Sequence, residues 1–142
     1  MSVLPSKLIV NANILFSFFK KDSTRRRLIE ELLNCGTELV SPHFMLHELR
    51  ANKDKIMQLS NISFGEFELT VRLIEEEINL ISEDKFKEFL SKASKFSPHA
   101  KDKPYFALAL SFNAPIWSDE KAFKRQSEIK VFSTFELSKL IE

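Results

Sequence analysis

Residues 7–16 read KLIVNANILF, and the change of character inside this stretch decides the fold. KLIV (7–10) is a short apolar run without helical period, as expected of a strand buried on both faces. It stops at Asn11 and Asn13, polar residues suited to a corner, and ILFSFF goes on with helical spacing. The pattern recurs down the chain. ELV (38–40) precedes SPHFMLHELR, NLIS (79–82) precedes DKFKEFLSKASKF, and PIWS (115–118) precedes a short helix over EKAFKRQ. KVFS (130–133) leads into a last helix opened by the capping-box spacing of Ser133 and Glu136. Strands alternating with helices predict a three-layer α/β/α sandwich built on a parallel, Rossmann-like sheet.

The helices between these strands have their own start and stop signals. Ser23 is placed to cap TRRRLIEELLNC, and Gly36 to end it. Ser41 and Pro42 form a helix-start pair, so FMLHELRANK reads as helical with Glu48 in its interior. Ser63 and Glu66 have the spacing of a capping box that opens GEFELTVRLIEEEI, ending near Asn79. In DKFKEFLSKASKF, Phe86, Phe89, Leu90 and Ala93 fall on one stripe, and Pro98 closes the segment. Asp102 stands two residues before Pro104, in the first turn of DKPYFALALSF.

With 142 residues, 44% of them hydrophobic, the chain is sized for one domain over 1–142 with one continuous core. Basic and acidic residues number 21 and 20, a formal charge of +1, so any attraction for a polyanion must come from local clustering. A single cysteine excludes an intramolecular disulfide; Cys35, within LIEELLNCG, reads as a small buried hydrophobe in a reducing compartment. No apolar stretch approaches membrane-spanning length, and MSVLPSKLIV has too short an apolar segment for a secretory signal, so a cytoplasmic protein without membrane contact is expected. Two glycines in the whole chain leave no glycine-rich phosphate loop.

Three acids sit where an apolar run gives way to a helical segment: Glu48 in SPHFMLHELR, Asp102 in HAKDKPYFALAL and Asp119 in APIWSDEKAF. The matching junction in KLIVNANILF carries Asn11. In a parallel α/β sheet the carboxyl ends of the strands open onto one crevice, where scattered acids can converge as ligands for a hard divalent cation. Such a site suits phosphate chemistry, because a phosphodiester attacked by an anion needs cations that neutralise it, orient it and deprotonate water.

The order VNAN, a helix-borne HEL, KDKPYFALAL, IWSDEKAF and KVFST resembles the PIN-domain nucleases over nearly the whole chain. The resemblance implies a small Rossmann-like domain that cleaves RNA with Mg2+ or Mn2+, often as the toxin of a VapC-type pair with an antitoxin protein as partner, and it points to a homodimer. It places the family's four acid positions on Asn11, Glu48, Asp102 and Asp119, with Glu48, Asp102 and Asp119 as metal ligands. Asn13, Ser118 and Lys121 become substrate-positioning residues. Asn11 is the departure, since the family has Asp there. A unit-charge pair about 4 Å apart is worth about 1 kcal/mol in water and about 4 kcal/mol at intermediate dielectric, so losing one ligand charge weakens an ion's hold. Reduced activity follows, and the competing function is a PIN-like module that binds RNA or a protein partner without cutting.

Singly, each residue has a plainer role: Asp102 as a helix cap, Glu48 as a solvated helix residue, Asp119 with Glu120 as a helix-start pair, the two asparagines as turn formers. Basic residues gather in three groups, Lys20, Lys21 and Arg25 to Arg27, then Lys101 and Lys103, then Lys121, Lys124 and Arg125, fit to rim an acidic crevice for RNA. His43 and His47 are four apart, but no cysteine is near and the order is not that of HExxH, so zinc is not expected. Tyr105 and Trp117 read as packing residues. A phospho-receiver domain is disfavoured because Asp102 follows a helix and the KFSPHAK loop instead of a strand.

Overall fold

The computed structural model describes residues 3–20 and 23–141; Lys21, expected in a basic rim, lies outside them. Five strands, β1 (Lys7–Val10), β2 (Glu38–Pro42), β3 (Asn79–Ile81), β4 (Ile116–Trp117) and β5 (Val131–Phe132), form a parallel sheet in the order β3-β2-β1-β4-β5. The helices are α1 (Ala12–Leu15), α2 (Thr24–Asn34), α3 (Phe44–Ala51), α4 (Lys53–Ser60), α5 (Phe64–Glu77), α6 (Leu90–Ala93), α7 (Lys103–Phe112) and α8 (Thr134–Ile141).

Alternation along the strands sends successive residues to opposite faces, and both faces are covered. Leu8, Val10, Leu39 and Trp117 pack with Ile29 and Leu32 of α2, Phe67 and Ile74 of α5 and Leu137 of α8. Ile9, Val40, Ile116 and Val131 pack on the other side with Phe106 and Leu108 of α7, Ala93 of α6 and Phe123. The result is the three-layer α/β/α sandwich. Each fully buried Leu, Ile or Phe contributes roughly 1.5–3 kcal/mol by leaving water. The apolar run over Tyr105 to Ala109 is buried all round, which is why α7 shows so little polar face.

Local signals act as their chemistry dictates. Ser23 accepts from the Arg26 amide at the start of α2, and Gly36 follows its end at φ +90, where a side chain would be strained. Ser63 and Glu66 bond reciprocally at α5, as do Ser133 and Glu136 at α8. Five expectations need correction. Ser41 and Pro42 belong to β2: the Ser41 hydroxyl donates to the Val10 carbonyl at 2.8 Å, and α3 starts beyond them with His43 at its cap. The helix over 44–53 breaks at Asn52, and α4 follows. Residues 84–96 are mostly 3-10 turns around the four-residue α6, and 120–126 is a 3-10 turn over Lys121–Arg125. Cys35 is exposed, because the chain leaves α2 there before Gly36 turns it back. Among the described residues no helix is long and apolar enough to cross a membrane.

Candidate active site

The chain leaves β1 towards β2 and β3 on one side and reaches β4 on the other, so the carboxyl ends of β1 and β4 flank the switch point at which parallel sheets open a crevice. The first residue beyond β1 is Asn11, and the first beyond β4 is Ser118. Both are buried, and they meet: the Asn11 amide nitrogen donates to the Ser118 hydroxyl at 3.1 Å. The other end of that amide caps α1, accepting from the Ile14 nitrogen at 3.3 Å. Ser118 in turn accepts from the Glu120 backbone nitrogen at 3.1 Å, which fixes the corner after β4.

Above this corner lies a cleft of about 30 Å3, lined by Asn11, Asn13, Glu48, Lys101, Asp102, Tyr105 and Glu120. A space of that size takes an ion or a single water. Glu48 comes from α3, which packs on one face of the sheet, and Asp102 from the turn into α7, which packs on the other. Asp102 is 4% exposed, and its Oδ2 has no hydrogen-bond partner. Burial, reinforced by the charge of Glu120, pushes its carboxyl up to about 6. Burial also raises Glu48, against the hydrogen bond that its Oε1 accepts from the Tyr105 hydroxyl. Tyr105 is held well above the usual phenol range by burial and by Glu48. Asn13 donates to Glu120 and aims it.

The donor set fits a hard divalent cation: carboxylate oxygens, one of them buried and unpartnered, with the charges of Glu120 and Glu48 raising Asp102. As they stand they are not closed around an ion, since among the described residues no group of three or more His, Cys, Asp or Glu is arranged to hold one. The bonds from Tyr105 and Asn13 take one oxygen each of Glu48 and Glu120, and a carboxylate has a second oxygen to offer an ion.

Of the residues expected at the site, Asn11, Asn13, Glu48 and Asp102 line one cleft, with Ser118 buried beneath it. Asp119 is not brought there. Its carboxylate accepts from the Thr134 nitrogen at 2.7 Å, the Thr134 hydroxyl at 2.5 Å and Arg25 Nε at 2.9 Å, tying α8 to α2. Burial alone would raise its carboxyl, but the bonds from Thr134 and Arg25 outweigh that and lower it. The reason is alternation: residues two apart in extended chain share a side, so Glu120 falls with Ser118 and Asp119 opposite. Lys121 is exposed in the following turn and is not among the residues lining the cleft; Lys101 is. Tyr105 was expected only to pack. The signal for a polar role was its place one helical turn beyond Lys101 and Asp102, which aims its hydroxyl at the same crevice.

A family model described as "PIN domain" matches residues 9–133. A search of the curated proteins finds no match. Among solved structures, the chain is similar to one in the crystal structure of VapBC2 from Rickettsia felis bound to a DNA fragment from their promoter. The TM-score is 0.71 at 14% identity, over 89% of this chain and 98% of that one.

Proposed function

The chain belongs to the PIN-domain family, and from that premise we propose that it is a metal-dependent endoribonuclease using Mg2+ or Mn2+, with Glu48, Asp102 and Glu120 as the ion's ligands. The observation that carries this reading is the buried, unpartnered Asp102 oxygen between two further carboxylates at the switch point of the sheet. A bound cation there supplies charge neutralisation of the phosphate and a more acidic water. The chain's own residues do the rest. Tyr105 and Asn13 hold Glu48 and Glu120 in position, Lys101 balances part of the negative charge, and the Asn11–Ser118 bond fixes the corner that presents Glu120.

Asn11 supports a second reading, a module that binds RNA or a protein partner with little cutting. Its amide is neutral and bonded at both ends, so it fastens the corner and contributes no charge to an ion. The two readings separate in one assay: RNA cleavage by this protein and by Asn11→Asp with Mg2+, Mn2+ or EDTA. Metal-dependent cleavage by the unaltered protein that EDTA removes supports the nuclease; cleavage by Asn11→Asp alone supports the second reading, and no cleavage by either with any metal overturns the nuclease.

Likeness to a chain of VapBC2 supports a place in a toxin–antitoxin pair, with an antitoxin protein as partner, in the cytoplasm. Leu59 of α4 and Phe64 and Leu69 of α5 are exposed, and these apolar side chains support a homodimer.

A further inference from the structure

Beside the carboxylate cleft, at the carboxyl ends of β2 and β3, the fold leaves a second cavity of about 590 Å3 lined by His43, Phe44, Ser82, Glu83, Phe86 and Pro104. The chain ties it to the cleft twice. Phe44 precedes Glu48 by four residues in α3, about one helical turn, and Pro104 follows Asp102 by two residues into α7. The two spaces differ in kind. The cleft, at about 30 Å3, admits an ion or a water, so the organic part of any substrate must lie outside it. The second cavity is in the range of small-ligand pockets.

Its lining has the chemistry of a base site. Phe44 offers an aromatic surface, Pro104 an apolar ring, and Glu83 an acceptor-only carboxylate, with the buried Phe86 behind them. Phe44 is 39% exposed, and its ring stacks on His47 with centroids 6.0 Å apart. That contact holds the ring in place with part of its surface free. We propose that this cavity receives an unpaired nucleobase adjoining the phosphate held at the carboxylates, with Phe44 as stacking platform and Glu83 accepting from N–H donors on the base edge. The base must be unpaired, because in a duplex its faces are already stacked. This rests on the ribonuclease reading for the presence of RNA at the cleft, and it adds where the substrate is gripped.

The test is binding of fluorescent single-stranded RNA oligomers in metal-free buffer, read by anisotropy, with wild type, Phe44→Ala and Phe44→Trp. Alanine should weaken binding about 5- to 100-fold, and tryptophan should restore it. Oligomers carrying one abasic nucleotide at successive positions should show one position whose loss weakens wild type by the same factor and Phe44→Ala no further. Circular dichroism confirms that the variants fold. Equal affinity of wild type and Phe44→Ala, or abasic losses that are the same in both proteins at every position, overturns the proposal. So does a change in oligomer mass for Phe44→Ala without a change in RNA affinity, which would assign the cavity to a second copy of the chain. RNA that binds with this coupling but is never cut under any metal leaves the base site standing and removes the nuclease reading; metal-dependent cutting with unaltered Phe44→Ala binding does the reverse.

Discussion

Asn11 and Ser118, 107 positions apart, are joined through side chains at 3.1 Å where β1 and β4 end. Ser118 receives two donors, the Asn11 amide and the Glu120 nitrogen, which leaves its own proton free to point elsewhere. Position 11 can therefore accept a carboxylate, with the Ser118 hydroxyl turning to donate to it. Asn11→Asp should fold, bind Mg2+ about tenfold or more tightly and cleave RNA faster. Without metal the added charge lies near Glu48, Asp102 and Glu120, so stability should stay level or fall. Titration calorimetry and thermal melts with and without Mg2+ check both; no change in either the metal-induced shift or cleavage would remove position 11 from the site.

Ser118→Ala leaves the buried Asn11 amide and the Glu120 nitrogen without their acceptor. It should cost about 1–3 kcal/mol in urea unfolding and loosen Glu120, lowering metal affinity. A stability loss under about 0.5 kcal/mol would mean that water replaces the hydroxyl without penalty.

Asp119 and Glu120 should separate cleanly despite being neighbours. Glu120→Gln should impair metal binding and cleavage with little loss of stability. Asp119→Asn should cost about 1–2 kcal/mol, because Thr134 and Arg25 lose a charged acceptor, and should leave metal affinity nearly intact. Calorimetry on both variants decides; the opposite pattern would put the ligand at 119.

Asp102 makes the metal-free protein pH-sensitive. Its carboxyl holds a proton up to about 6 when folded, against an ordinary value of 3.8, so between those values the folded chain binds more protons than the unfolded one. Stability from this group is greatest below about 4 and declines as pH rises through about 6, by on the order of 2–3 kcal/mol in all. Glu48 acts in the same direction, while Glu136, held at about 2 by Lys124 and the Ser133 nitrogen, acts in the opposite one at lower pH. The difference between wild type and Asp102→Asn isolates the contribution of this carboxyl: in EDTA the variant should melt higher at pH 7.5 and show a flatter pH profile, yet cut no RNA. An unchanged difference across pH 4–7 would contradict it.

Leu59, Phe64 and Leu69 should be covered in solution. Light scattering is expected to give twice the chain mass at micromolar concentration, and Phe64→Glu to give monomers. A monomer mass for the unaltered protein across that range would overturn the dimer.

Much of this was legible from short patterns. Buried parallel strands leave contiguous apolar runs such as KLIV, and both capping boxes show as Ser and Glu three apart. The stripe of Phe86, Phe89, Leu90 and Ala93, spaced as i, i+3, i+4 and i+7, misled over its first half, because 3-10 turns precede the short α6 and spacing alone does not separate the two. Ser41 was legible as a polar residue before a helix, but its hydroxyl went to the Val10 carbonyl, a partner 31 positions away. The shift from Asp119 to Glu120 was within reach, since alternation from Ser118 already favours the second acid. The bond of Tyr105 to Glu48 spans 57 positions and depends on how α7 and α3 are docked.

The order of strands has a consequence for how the protein is made. β1 occupies the middle of the sheet, yet one of its neighbours, β4, begins only at Ile116. During synthesis from the amino end, β1, β2 and β3 can pair while one edge of β1 stays open, a row of unsatisfied backbone groups that invites pairing with other chains. Closing that edge and delivering Ser118 and Glu120 to the corner are the same event. A nascent chain therefore holds Asn11 and Glu48 long before it holds Glu120, and the carboxylate set is complete only once β4 has been made and has paired with β1.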